Sequence, residues 1–344
     1  MYPQWGDAKF TPCSSQQDSD LGEGTSPLSG FTGMLSLIFR NPAVLLATLM
    51  IPAATATQIT AATTNAAASP APPRQEIITL HDVIIGKGGD RDLHAEVAYP
   101  QGATNQIPAI LFIHGGGWVA GSYKDAPILP LAGAGYFAAS IEYRLDSEAK
   151  WPAQIEDCKL GVRWLRANAA KYHVDPNRIG VWGESAGGHL VLCLGTMADV
   201  REYEGVGGYP GVSSAVQAVV DFYGPSDFTR IWPSTYKGEG VSLVEGLFGV
   251  THEKDPQLWK KGSPLTHVKA GDPPMLMVHG DSDRLVSINQ SLLMDAALSK
   301  AGVSHQLIIV KNAGHGFLPM PGTTIDPNQS QIMEDVRSFF AKWL

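Results

Sequence analysis

The chain has 344 residues, 44% of them hydrophobic, which is ample material for one large buried core. Its 25 basic and 33 acidic side chains give a net charge of −8 with no basic run, arguing against nucleic acid and an anionic membrane surface as partners. Three cysteines are too few for a disulfide framework.

The first 75 residues read as a leader. Residues 1–33 are polar, rich in Ser, Gly and Pro, and without periodicity. Arg40 then precedes an apolar stretch from Pro42 to Pro52, and Ala54-Thr55-Ala56 follows as a small-x-small site. A basic segment, a short apolar segment and a cleavage site, in that order, make a secretory signal peptide. The apolar run is too short for a stable membrane span. On this reading Met34 is the biological start, residues 1–33 are an upstream extension, and 34–56 is the signal-peptide-like segment. Residues 57–75, rich in Ala, Thr and Pro, form a flexible spacer, and the mature chain is secreted or periplasmic. The alternative is a disordered tail with an accidental apolar patch.

From residue 76 to 344 the pattern is that of a single α/β domain. Residues 76–85 and 92–99 alternate as an opening pair of strands. Short apolar runs follow at Ala109 to Ile113, Tyr136 to Ile141, Ile179 to Trp182, Ala215 to Tyr223, Met275 to His279 and Gln306 to Val310. Such runs suit strands buried on both faces. Ile155, Cys158, Val162, Leu165 and Ala169 share one helical face, as do Ile332, Val336, Phe339, Phe340 and Trp343. Alternating strands and helices imply a mostly parallel sheet covered on both sides, with its ligand crevice at the C-terminal strand ends. Residues 198–213 and 229–268 break the alternation, and 229–268 reads as a short cap inserted over the crevice. Its scattered aromatic residues are Trp232, Tyr236, Phe248 and Trp259. Cys158 and Cys193 fall on two helices expected to pack side by side and read as small buried residues, a single bridge being the alternative for an exported chain.

Gly183-Glu184-Ser185-Ala186-Gly187 lies between the strand ending at Trp182 and a helix starting near Ala186. In that setting the G-x-S-x-G pattern is a sharp turn that lifts the serine oxygen over the sheet at a helix N-terminus, where negative charge is favoured. A plain helix-capping serine after a Gly-rich turn is the competing account. His114-Gly115-Gly116-Gly117-Trp118 follows another strand, and its glycines can aim N–H groups at an anion. Gly116, Gly117 and Ala186 are the candidate oxyanion donors. A phosphate loop is disfavoured because no Lys-[Ser/Thr] follows. His114 is read as holding its loop rather than carrying protons.

A base must reach the serine from a C-terminal strand end. Of the ten histidines His315 does so, following the strand that ends at Val310. The acid should fall between serine and histidine, in the turn after Met275 to His279, where Asp281 and Asp283 both stand. Asp283 is preferred, with Asp281 holding the turn. Trp118, Phe248, Trp259 and Phe317 are candidate substrate-pocket walls, although plain packing serves Trp118 almost as well. No metal-ligand cluster and no dinucleotide loop is visible, so neither metal nor cofactor is expected.

At these motifs the chain resembles the α/β-hydrolase family, and more narrowly the carboxylesterases with an H-G-G-G loop. Bacterial feruloyl or acetyl esterases are similar, and so are hormone-sensitive-lipase-like enzymes. The resemblance spans residues 76–344 and rests on His114 to Trp118, Gly183 to Gly188, His279 to Asp283 and Gly314 to Phe317. The residue before the serine, commonly Asp in hormone-sensitive-lipase relatives, is Glu184 here, and the feruloyl/acetyl branch fits better. The resemblance implies a serine carboxylesterase using Ser185, Asp283 and His315 on a small-molecule ester. A feruloyl or acetyl-xylan esterase, and a non-hydrolysing ligand-binding relative, are the alternatives.

Overall fold

A computed structural model describes residues 76–103, 105–229 and 239–344. The expectations for the leader, 1–75, and for Trp232 and Tyr236 lie outside the described residues. The described residues all fall within one compact unit, Pro70–Leu344.

The strands are β1 (Ile77–Gly88), β2 (Arg91–Pro100), β3 (Ile107–Ile113), β4 (Phe137–Ile141), β5 (Val174–Glu184), β6 (Ala218–Phe222), β7 (Met275–Gly280) and β8 (His305–Val310). They form one sheet in the order β1-β2-β4-β3-β5-β6-β7-β8. The β1–β2 and β2–β4 pairings are antiparallel and the remaining neighbours are parallel. The helices are α1 (Ile128–Gly133), α2 (Ala153–Ala167), α3 (Ala186–Thr196), α4 (Glu239–Phe248), α5 (Pro256–Lys261), α6 (Asn289–Ala301) and α7 (Gln329–Trp343).

The apolar runs are nearly continuous because side chains alternate between two covered faces. Ala109, Leu111 and Ile113 of β3 join one cluster with α2, α3 and α6, while Ile110 and Phe112 join another with α1 and α7. On α2 the periodic residues Ile155, Cys158, Val162 and Leu165 are all buried, and Ala169 is buried just past the helix end. Burying one such Ile or Leu contributes about 1.5–3 kcal/mol, which docks the helix on the sheet. Helix α7 starts at a capping box between Asn328 and Gln331 and buries Ile332, Val336, Phe339 and Phe340. Cys158 and Cys193 are buried free thiols, as their apolar reading expects.

The stretch 229–268, expected to be irregular, instead carries α4, α5 and a 3-10 turn at Pro264–His267. Helix α5 opens with Asp255 accepting from Leu258 N (2.9 Å) and Pro256 at its first position, a start signal too short for periodicity to register. The other irregular stretch, 198–213, is tied to α2 through Lys159 and Arg163, which both reach Glu204. Among the described residues no helix is long and apolar enough to cross a membrane.

Candidate active site

Six parallel strands, β3 to β8, deliver loops to the C-terminal edge of the sheet, where α/β folds place their ligands. Strand β5 ends at Glu184 and α3 begins at Ala186, so Ser185 alone makes the turn, at φ 54° and ψ −116°. For a residue with a side chain that conformation costs about 1–3 kcal/mol, and the surroundings must enforce it. Ser185 N donates to Phe222 O (2.8 Å), and His189 N donates to Ser185 O (3.0 Å). The turn also needs close backbone approach: a Cβ on Gly187 would lie 2.0 Å from Ile113 O, and one on Gly183 2.3 Å from Gly187 O.

His315 stands on a short turn after β8, with its Nε2 2.9 Å from Ser185 Oγ. Its Nδ1 lies 2.7 Å from Asp283 Oδ2. The structure therefore brings together the three residues that the motifs single out. The Asp283 side chain is buried, and its Oδ1 accepts from Leu285 N and Val286 N, both at 2.9 Å. Burial alone would raise its pKa. Hydrogen bonds from His279 and His315, the His315 charge and the Val286 N–H outweigh that and hold the carboxyl well below the usual range. An ionised Asp283 fixes the His315 proton on Nδ1 and leaves Nε2 to accept from the Ser185 hydroxyl. Asp281 is exposed and accepts from Ser282 Oγ (2.8 Å), the local turn role expected of it.

The glycine loop after β3 packs directly on this turn. Gly116 sits at φ +112°, and its carbonyl accepts from Val119 N (3.1 Å) and Ala120 N (3.0 Å). A Cβ there would fall 2.2 Å from Ala120 O, so the loop is too tight for any other residue. Gly115 lies against Glu184 O and Ser185 Cβ, which puts the loop beside the serine. Ala186 N–H is at the first position of α3, where no intrahelical acceptor exists. His114 is buried, stacks on Tyr143 at 4.3 Å and lies 2.7 Å through Nδ1 from Gly115 O, while Tyr143 OH donates to its carbonyl. It holds the loop, as expected.

The aromatic residues expected to wall the pocket are all interior. Trp118, Phe248 and Trp259 are only 3–4% exposed. Trp118 meets His189 edge-on (5.4 Å), Phe248 packs on Trp259 (5.3 Å) and Trp151 (6.0 Å), and Phe228 joins both groups. These rings anchor the inserted helices to α3 rather than standing as an open wall. The physical reason is area: each large ring removes about 150–250 Å² from water, and two short helices have little else to dock with. Phe317 differs. It belongs to the His315 turn and packs on Tyr223 (4.8 Å) and Phe222 (5.2 Å). The cap meets the glycine loop through Leu243 of α4, whose methyls lie 3.1 Å from where a Gly117 Cβ would be.

Two groups at the site escape motif reading. Tyr223, the first residue after β6, meets the His315 ring edge-to-face at 4.7 Å. Its place at a C-terminal strand end is the signal that could have found it. Glu184 is visible only as the motif's variable position, yet burial raises its carboxyl to about 7, against smaller lowering effects from Tyr223 and His315.

A serine, a histidine and a carboxylate meet at the C-terminal edge of a mostly parallel eight-stranded sheet, in that fold's chain order of serine, acid, base. That arrangement defines an α/β-hydrolase. The chain belongs to the BD-FAE family, which it matches over residues 95–298, more than half its length. It is similar to Esterase LipC of Mycobacterium tuberculosis, 32% identical over 67% of this chain and 58% of that protein. Esterase LipQ of the same organism is 30% identical over 72% of this chain and 59% of that protein. The chain thus spans less than two thirds of the length of these curated relatives. Among solved structures it is similar to a truncated carbohydrate esterase from gut microbiota, with TM-score 0.67, 31% identity, and coverage of 80% of this chain and 98% of that one. It is also similar to the esterase Est2 of Thermogutta terrifontis, with TM-score 0.62, 27% identity, and coverage of 78% and 92%.

Proposed function

We propose that the protein hydrolyses small or short-chain carboxylic esters through an acyl-enzyme on Ser185. The contact chain from Ser185 Oγ through His315 to buried Asp283, at 2.9 and 2.7 Å, carries this reading. His315 Nε2 takes the serine proton as Oγ attacks the ester carbonyl, and Asp283 holds the imidazole in the required tautomer. The N–H groups of Gly116, Gly117 and Ala186 receive the oxyanion. His315 then protonates the leaving alcohol, and water activated by His315 releases the acid. Ser185→Ala should abolish turnover of p-nitrophenyl acetate, and retained turnover would end the assignment. The intact contact chain disfavours a ligand-binding relative that does no hydrolysis.

An acylated carbohydrate, such as acetylated xylan or a feruloyl ester, is the second reading. The observation favouring it is the similarity to a carbohydrate esterase over nearly all of that chain. p-Nitrophenyl esters of increasing chain length, assayed beside methyl ferulate and acetylated xylan, separate the two. Preference for acyl chains of about twelve carbons or more would contradict the short-chain reading, since each methylene in an apolar pocket is worth about 1–3 kcal/mol. We also propose export through the signal-like segment 34–56, supported by Arg40, the apolar run and Ala54-Thr55-Ala56. N-terminal sequencing of secreted material should show a start near Thr57, and an uncleaved chain would contradict it.

A further inference from the structure

Glu184 and Tyr223 have no part in the proton path from Ser185 to Asp283, yet both bear on its central residue. Tyr223 is buried and held at φ 45°, its N–H donating to Val278 O (2.9 Å). Packing on Phe222 (6.1 Å) holds the ring in place. There its ring meets His315 at 4.7 Å and 61°, and Phe317 at 4.8 Å. The Tyr223 hydroxyl lies 3.5 Å from Glu184 Oε2, at the outer limit of a hydrogen bond. Glu184 adjoins the serine in the chain, and the His315 charge lowers its carboxyl pKa against the larger effect of burial.

We propose that Tyr223 and Glu184 form a second positioning arm on His315: the Tyr223 ring fixes the imidazole plane, and the Glu184 carboxylate stabilises the imidazolium formed when His315 takes the Ser185 proton. The proposal rests on the esterase reading above. Asp283 supplies the first negative charge through Nδ1, and Glu184 supplies another from the nucleophile's own strand. The arm also gives the extra methylene of Glu over Asp a purpose, since it extends the carboxyl toward the Tyr223 hydroxyl.

The sign of its pH dependence follows. Among the described residues, the groups facing Glu184 are Tyr223, from the end of β6, and His315, from the loop after β8. Tyr223 in turn feels Asp283 of the β7 loop and Asp221 of β6. Burial places the Glu184 ionisation at about 7. Below that pH the carboxyl is neutral and adds nothing to the imidazolium. Above it the charge is present and the arm acts.

The experiment uses the full chain, p-nitrophenyl acetate from pH 5.5 to 9, and NMR titration of the His315 ring proton in the absence of substrate. Glu184→Gln should lower kcat by about tenfold at pH 8, the rate equivalent of one pKa unit, with KM nearly unchanged. The deficit should vanish below pH 6, and the acid limb should lose one of its two ionisations. The His315 ring-proton titration should move to lower pH in the same variant. Tyr223→Phe keeps the ring and removes the hydroxyl, and should shift rate and titration in the same direction by a smaller factor. A Glu184→Gln deficit equal at every pH, or a His315 titration identical to wild type, overturns the proposal. So does a wild-type profile in Tyr223→Phe, which also decides the matter if Glu184→Gln fails to fold. If the wild type hydrolyses no ester, the esterase reading fails, and the substrate-free titration still tests the arm.

Discussion

His279 Nε2 lies 3.5 Å from Asp283 Oδ2, the same oxygen that meets His315 Nδ1 at 2.7 Å. His279 is itself fixed, with Nδ1 2.7 Å from Ser291 Oγ and Nε2 2.9 Å from Val286 O. The carboxylate is therefore oriented by its own turn, from Leu285 N, Val286 N and His279, independently of His315. Only Asp283 of the two turn aspartates has this support. Asp283→Asn should keep the fold and lower kcat by about 10³–10⁴-fold, because the amide no longer selects the His315 tautomer that accepts from Ser185. Asp281→Asn should stay within a few-fold of wild type. A dead Asp281→Asn beside an active Asp283→Asn, measured by steady-state kinetics, would reverse the assignment.

The glycine loop gives a prediction that separates rate from affinity. In Gly116→Ala the new Cβ would fall 2.2 Å from a backbone oxygen at φ +112°, so the loop must shift and its N–H groups lose their aim. Loss of one oxyanion donor costs about 10²–10³ in kcat. Gly116→Ala should show at least that loss with a much smaller change in KM, and a wild-type kcat would remove Gly116 from the oxyanion role.

His189 makes stability depend on pH. It is fully buried on α3, its Nε2 lies 2.8 Å from Gly262 O, and burial lowers its pKa from 6.5 to about 4. Between those values the unfolded chain binds a proton that the folded one refuses. Its contribution is complete above pH 6.5 and is lost as pH falls toward 4, by up to about 3 kcal/mol. Glu184 runs the other way, because its folded pKa is raised from 4.5 to about 7. Its contribution is complete below pH 4.5 and is lost as pH rises through 7. The two oppose each other over the same window. Urea denaturation between pH 4.5 and 7 should therefore rise less steeply with pH in His189→Gln than in wild type, and more steeply in Glu184→Gln. Parallel profiles for all three proteins would contradict both pKa shifts.

Cys158 and Cys193 are buried free thiols, and burial raises both pKa values well above the ordinary thiol range. Thiolates react and thiols do not, so both should resist iodoacetamide in the folded protein and react fully in denaturant. Peptide mapping that finds a Cys158–Cys193 bridge in secreted material would contradict this packing.

Much of the site was legible because its parts are local. Gly183 to Gly188 form a contiguous strand–turn–helix, and the Cβ clashes at Gly183 and Gly187 explain why those positions read as they do. His315 was recognisable because a loop after a strand run falls on a known edge of the sheet. The aromatic residues of the insertion were not legible in the same way. Phe248 and Trp259 look the same in sequence whether they wall a pocket or anchor a cap, and only their contacts with Trp151 and Phe228 decide for anchoring.

The sequence by itself determined the alternation of strands and helices, the turn that carries Ser185, and the chain order Ser185, Asp283, His315. Those features follow from periodicity and from backbone sterics, which act between near neighbours. The tertiary structure bore out the choice of Asp283 over Asp281 by its contact with His315, and it alone decided that Tyr223 packs on that imidazole with Glu184 at its hydroxyl. Both depend on how far each strand end projects and in which direction its loop turns. The pairing of β5 with β6, β6 with β7 and β7 with β8 fixes that, and no short stretch of chain records it.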